Sequence, residues 1–149
     1  MKRVLRQRSE RRQLLAAEPE VLDELRRLRV RVPHLTAALT ATVDGLILAQ
    51  DTPAAGTAGV EAEGVAAMTA AALGVALRLT DATGQGEFRE LLIRGEQGYV
   101  ATYAAGTAAV VTVLAGPRIN IGRLHLEARR ASARIGELVD AALARREPA

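Results

Sequence analysis

Residues 35–43 repeat with a period of two. Leu35, Ala37, Leu39, Ala41 and Val43 alternate with Thr36, Ala38, Thr40 and Thr42. A strand points successive side chains to opposite faces, so this reads as a half-buried β-strand with its threonines on a polar face. Asp44-Gly45 follows, the pair favoured in a two-residue hairpin turn whose central residues both take positive φ. Leu46, Ile47 and Leu48 begin the returning strand. Further on, EFRELLIRG, GYVATYAAG and AAVVTVLAG are three short runs parted by glycines at 95–98 and at Gly106. Their spacing predicts an antiparallel meander.

Elsewhere the period is that of a helix. In EPEVLDELRRLRVRVP, Val21, Leu22, Leu25 and Leu28 form one stripe, with Arg26, Arg27 and Arg29 opposite. Pro19 suits an early helical position and Pro33 ends the segment. A second helix runs from about Val60 to Thr80, after the loop TPAAGTAG and before TDATGQGE. Glu61 and Glu63 sit in its first turn, where the helix dipole favours negative charge. A third spans about Ile119 to Ala144. Ile121, Leu124, Ala128, Ala131, Ile135, Leu138 and Ala142 make its stripe. Arg123, Glu127, Arg130, Arg134 and Glu137 make its charged face, and Asn120 is a suitable cap. The predicted order is α-β-β-α-β-β-β-α: an α/β domain over residues 18–144 with one five-stranded antiparallel sheet.

The second helix breaks the amphipathic rule. Residues 64–77, GVAAMTAAALGVAL, carry no charge. Val65, Met68, Ala72, Val75 and Leu79 lie along one side, and Ala67, Ala70, Ala71 and Gly74 along others. Fourteen residues are short for a bilayer span, and Glu63 and Arg78 bracket them. A sheet covers about half of such a helix, and an exposed apolar remainder marks an interface. Small residues let a second helix approach closely. The expectation is a two-fold homodimer through Val65, Ala67, Met68, Ala70, Ala71, Gly74, Val75 and Arg78. The alternative is a monomer in which the first or third helix covers that side.

Composition narrows the function classes. The pI of 10.1 suggests a nucleic-acid protein, but the charge is local. Six basic residues against Glu10 give the first twelve residues +5 of a total of +3, leaving −2 for the other 137. Residues 1–17 read as a basic, flexible, solvated arm, with an electrostatic arm for an acidic partner or anionic surface as the second reading, and residues 145–149 as a frayed tail. Phe88, Tyr99 and Tyr103 are the only aromatics, so no stacking row is available for bases. With no cysteine there is no disulfide or thiolate chemistry. No apolar leader follows the basic start, and a cytoplasmic location is expected.

No catalytic constellation is visible. Ser9 lies in the arm and Ser132 inside the third helix, neither on a strained turn beside a His and an acid. His34 and His125 are far apart in sequence and read as ordinary polar residues rather than metal ligands. GQGE and GPRINIG lack the phosphate-loop pattern. Gly116-Pro117 reads as a turn, with phosphate binding by Arg118 and Arg123 at the next helix start a weak second reading. The turn explains Asp44 without general-base chemistry, and Tyr99 and Tyr103 read as core or rim. No catalytic, cofactor-binding or metal-ligating residue is assigned.

Together the patterns resemble a family. VDGLILAQD, AEGVAAMTAAALGVALRL, FRELLIRGEQGYVATYAAG and INIGRLHLEARRASARIGEL, in that order, resemble the roadblock/dynein light chain domain common in actinobacteria. The resemblance covers about residues 21–143 and leaves the basic arm outside. It implies a profilin-like α/β/α sandwich that forms homodimers or heterodimers through the second helix and the neighbouring edge strand. It also implies regulators or scaffolds of Ras-like small GTPases, in actinobacteria encoded beside a sensor histidine kinase. Some bacterial relatives stimulate GTP hydrolysis without inserting an arginine. No catalytic motif comes with the resemblance.

The first functional expectation is therefore a non-enzymatic homodimeric regulator of a Ras-like small GTPase in bacterial signalling. Arg123, Arg130 and Arg134 are candidates for the partner contact. The second is a structural or sensory assembly subunit that uses the same dimer without touching a GTPase. A small-molecule-sensing or enzymatic domain would need a pocket of convergent polar groups, and nucleic-acid binding would have to run through the arm.

Overall fold

The computed structural model describes residues 1–52 and 61–145. Most of the expected loop at 52–59, the helix start at Val60 and residues 146–149 of the tail lie outside them. The elements are α1 (Lys2–Ala16), α2 (Glu18–Arg31), β1 (Leu35–Thr42), β2 (Ile47–Asp51), α3 (Ala62–Ala82), β3 (Glu90–Gly95), β4 (Gly98–Ala105), β5 (Ala109–Ala115) and α4 (Ile121–Ala144). The three expected helices are α2, α3 and α4. The five strands form one antiparallel sheet in the order β2-β1-β5-β4-β3.

The segment read as an arm is helical. Helix α1 runs into α2 through Ala17, itself in the right-handed helical region. Pro19 has no N–H to continue the ladder, which divides one helix into two. Leu14 buries into the main core, and the Gln13 side chain donates to the Arg145 carbonyl. Nothing in the alternation of apolar residues between 2 and 16 signalled that contact.

The main core lies between the sheet and the pair α2 and α4. Val21, Leu25 and Leu28 of α2 meet Leu124, Ala128, Ala131, Ile135 and Val139 of α4 over Tyr103, Val111 and Val113. Helix α3 covers the other face through two small clusters. Ala66 packs on Leu39 and Ala41, and Leu73 packs on Phe88 and Val110. The stripe of α4 packs as expected, with Ser132, Gly136 and Val139 also buried, and the Asn120 side chain caps it by accepting from the Arg123 N–H at 3.0 Å.

Two expectations about the hairpin are corrected. Thr40 and Thr42 are buried, and of the threonines expected on a polar face only Thr36, at the start of β1, is exposed. β1 lies between β2 and β5 with helices on both sides, which removes both faces from water from Ala37 onward. The turn is also not the two-residue kind. Gly45 has φ +97, while Asp44 does not have positive φ. The Gly45 N–H donates to the Thr42 carbonyl at 3.0 Å, and the Thr42 N–H donates to the Leu46 carbonyl at 2.8 Å. That is a three-residue loop, a type I turn followed by a left-handed glycine. Asp44 accepts from the Thr42 hydroxyl, as a turn residue does. The register shifts by one between Thr40 and Ala41, so β2 is irregular as well as short.

A close backbone approach fixes α4 to the sheet. At Gly136, an added Cβ would lie 2.5 Å from the Gly106 nitrogen and 2.8 Å from the Ala105 carbonyl carbon. Gly106 takes φ +65 in the β4–β5 turn, which packs directly on α4. Helix α3 stops in a Schellman motif: Gly84 (φ +68) donates to the Asp81 carbonyl and Gln85 to the Thr80 carbonyl.

Candidate functional site

Helix α3 has 21 residues, and only Ala66 and Leu73 are buried. Thr69 and Ala76, half-buried, complete the row against the sheet. At 100° per residue, Ala67, Met68, Ala71, Gly74, Val75 and Arg78 fall on the opposite side, and all six are exposed. Val65 and Ala70, also expected in the interface, are half-buried at the flanks. Leu79 joins the outward side, so the aliphatic surface extends a turn beyond the expected set. Met68, Val75 and Leu79 are 68%, 61% and 59% exposed.

By composition and length, α3 is the one helix among the described residues apolar and long enough to cross a membrane. Its attachment to the sheet and its charged Glu63, Arg78 and Asp81 set it apart from a lipid-embedded span.

The edge of the sheet at β3 is open as well. β3 pairs with β4 alone, so the backbone groups of its outer edge have no strand partner among the described residues. Leu91 tucks under α3 with Leu73 and Ala76. Leu92 and Ile93 remain exposed. An unpaired strand edge beside an uncovered apolar helix can take a second strand and a second helix together.

Between the C-terminal half of α3 and the sheet runs an open groove of about 750 Å³. Leu73, Leu77, Phe88, Ala104 and Val110 give it an apolar lining, with exposed Asp81 and Glu87 among its walls.

The expected arginine contacts divide. Arg134 Nε binds Glu24 Oε2 at 2.8 Å, tying α4 to α2, and Glu24 also binds Arg27 at 3.1 Å. Arg130 lies 3.9 Å from Glu127. Arg123 has no carboxylate partner among the described residues. The three therefore do not form one free cationic surface, because Arg134 serves the packing of two helices.

A polar cluster that sequence reasoning missed joins β3 and β4 to α4. The buried Tyr103 hydroxyl and His125 Nδ1 are 2.8 Å apart. Burial, and then the Glu90 charge, push the Tyr103 phenol well above its ordinary pKa. Glu90 binds the guanidinium of Arg129 through two hydrogen bonds. That bonding lowers the Glu90 pKa against the opposing effect of burial. The cluster bolts two strands to one helix. No group of three or more His, Cys, Asp or Glu converges among the described residues.

Comparison with known proteins agrees with this architecture. The family profile described as Roadblock/LC7 domain matches residues 21–115. The uncharacterized protein MJ1340 of Methanocaldococcus jannaschii is 35% identical over 92 residues, covering 62% of this chain and 76% of that protein. A structure described as MglB with tetrameric arrangement superposes with a TM-score of 0.78 at 18% identity, covering 85% of this chain and 93% of that one. A Roadblock/LC7 domain from Streptomyces avermitilis superposes at 0.69 with 21% identity, covering 76% and 92%. With its sheet order, its exposed α3 and its bare β3 edge, the chain belongs to the Roadblock/LC7 domain family.

Proposed function

We propose that the protein is a non-enzymatic homodimer that regulates a Ras-like small GTPase in bacterial signalling, acting in the cytoplasm. Two observations carry the dimer: the aliphatic outward side of α3, and the unpaired edge of β3, which meets the inward side of α3 through Leu91. A second copy related by a two-fold axis covers both at once, and Ala67, Ala71 and Gly74 allow close helix contact. The GTPase reading rests on the resemblance of the sequence to the roadblock family. Regulation would work by favouring one nucleotide-dependent shape of the partner through differential contacts. Of the arginines, Arg123 and Arg130 are the better candidates for that contact, since Arg134 is engaged with Glu24. A sensor kinase belongs to the same proposed assembly.

Two measurements test this. Analytical ultracentrifugation should give about twice the 15.8 kDa chain mass, and Ala71→Arg should shift the protein to monomer. A single-chain species at high concentration removes the dimer. Pull-downs with candidate GTPases loaded with GDP or a GTP analogue should capture one state selectively. A dimer that captures neither state points to the second reading, an assembly subunit without GTPase contact.

A further inference from the structure

Helix α1 holds the largest local excess of positive charge in the protein, and the fold leaves it outside. Residues 1–9, 11 and 12 are all exposed. Among the described residues the helix is fastened near its C-terminal end, by buried Leu14 and by Gln13 on the Arg145 carbonyl. At helical spacing Glu10, Gln13, Leu14 and Ala17 share the inward side, and each is at least half-buried. Val4, Leu5, Arg8, Arg11, Arg12 and Leu15 share the outward side. Val4 and Leu5 are 52% and 58% exposed. Of the six basic residues in α1, Arg6 alone has a carboxylate partner among the described residues, Glu10 at 3.1 Å.

Three aliphatic side chains interleaved with three arginines on one water-facing side is a specific chemistry. A nucleic-acid backbone would use the arginines and gain nothing from Val4, Leu5 and Leu15, and residues 1–17 hold no aromatic for stacking. An anionic lipid surface uses both kinds. Aliphatic groups enter the boundary between headgroups and acyl chains, while arginines lie along it and reach the phosphates. The remainder of the chain is net −2, so the excess of positive charge lies in this helix. We infer that α1 is a docking helix for an anionic lipid surface, holding the roadblock domain beside the membrane without spanning it.

The test is co-sedimentation of the full chain with vesicles of phosphatidylcholine alone, or of equal parts phosphatidylcholine and phosphatidylglycerol. The protein should pellet with the mixed vesicles only, and less as salt is raised. Each basic residue near such a surface contributes about fivefold to affinity, so Arg8→Gln, Arg11→Gln and Arg12→Gln together should weaken binding roughly a hundredfold. Val4→Ser with Leu5→Ser keeps every charge and should weaken it about tenfold. All five positions face water and Leu14 is retained, so circular dichroism should show the fold unchanged. No pelleting with mixed vesicles at low salt overturns the inference, as does pelleting that the arginine variant retains. Vesicle binding indifferent to Val4→Ser and Leu5→Ser overturns the lipid assignment. Tight, salt-sensitive binding to duplex DNA in preference to vesicles would give the helix to nucleic acid instead.

Discussion

The contact between α4 and the β4–β5 turn allows a worked prediction. In Gly136→Ala, the new methyl carbon would stand 2.5 Å from the Gly106 nitrogen, 2.8 Å from the Ala105 carbonyl carbon and 3.1 Å from the Gly106 Cα. These are backbone atoms, so no side chain can swing away, and helix or turn must move by most of an ångström. Overpacking of this kind costs ~1–3 kcal/mol. Alanine is a better helix former than glycine by up to about 1 kcal/mol, which offsets part of it. The net expectation is a loss of about 1–2 kcal/mol, or a melting point lower by roughly 2–8 °C for a chain of this size. Gly74→Ala is the comparison: it sits in the exposed middle of α3 with nothing within 4 Å of the added carbon. In the monomer it should gain ~0.5–1 kcal/mol from propensity alone. Urea denaturation of both variants, at one protein concentration low enough to keep the chain monomeric, gives the two numbers. A Gly136→Ala protein as stable as the parent would refute the close-approach argument.

Three further outcomes follow from side chains described above. Glu24→Ala strands Arg134 beside α2 and should cost on the order of 2 kcal/mol in urea denaturation, less than a fully buried pair because Arg134 is partly solvated. Tyr103→Phe removes the hydroxyl that pairs with His125 and should cost about 1 kcal/mol, measured the same way. The Glu90 carboxylate is held below its ordinary pKa of 4.5, chiefly by the hydrogen bonds from Arg129. Its stabilising contribution is therefore complete above that value and fades as pH falls through 4.5 toward the folded-state pKa. Denaturation curves from pH 7 to pH 3 should show a smaller acid loss for Glu90→Gln than for the parent; equal losses would rule out the contribution.

Where the sequence carried a period, it was legible. The α4 stripe, the α2 stripe and the meander required only side-chain spacing. The outward side of α3 was legible as a surplus of apolar area, but not which residues would touch the sheet. In a helix of alanines every side looks alike, and Ala66 and Leu73 gain their role from strands far away in the chain. Thr40 and Thr42 misled because a β-branched polar residue suits either a wet face or the middle of a doubly covered sheet. Asp44-Gly45 located a hairpin without fixing its loop length, since one left-handed glycine serves two turn types. Tyr103 with His125, Glu24 with Arg134 and Gly136 with Gly106 all join distant segments. No local pattern records those encounters.

The short, bulged β2 strand has a consequence for assembly size. The proposed pairing along β3 would use one end of the five-strand order and leave β2 at the other. Two long, flat ends would let sheet add to sheet without limit, toward fibrils. β2 has five residues, a register slip beside Thr40, and Arg29 clasping Asp51 at 3.0 Å. Such an end is a poor template for a further strand. Growth by sheet extension should therefore stop at ten strands, a closed pair rather than a filament.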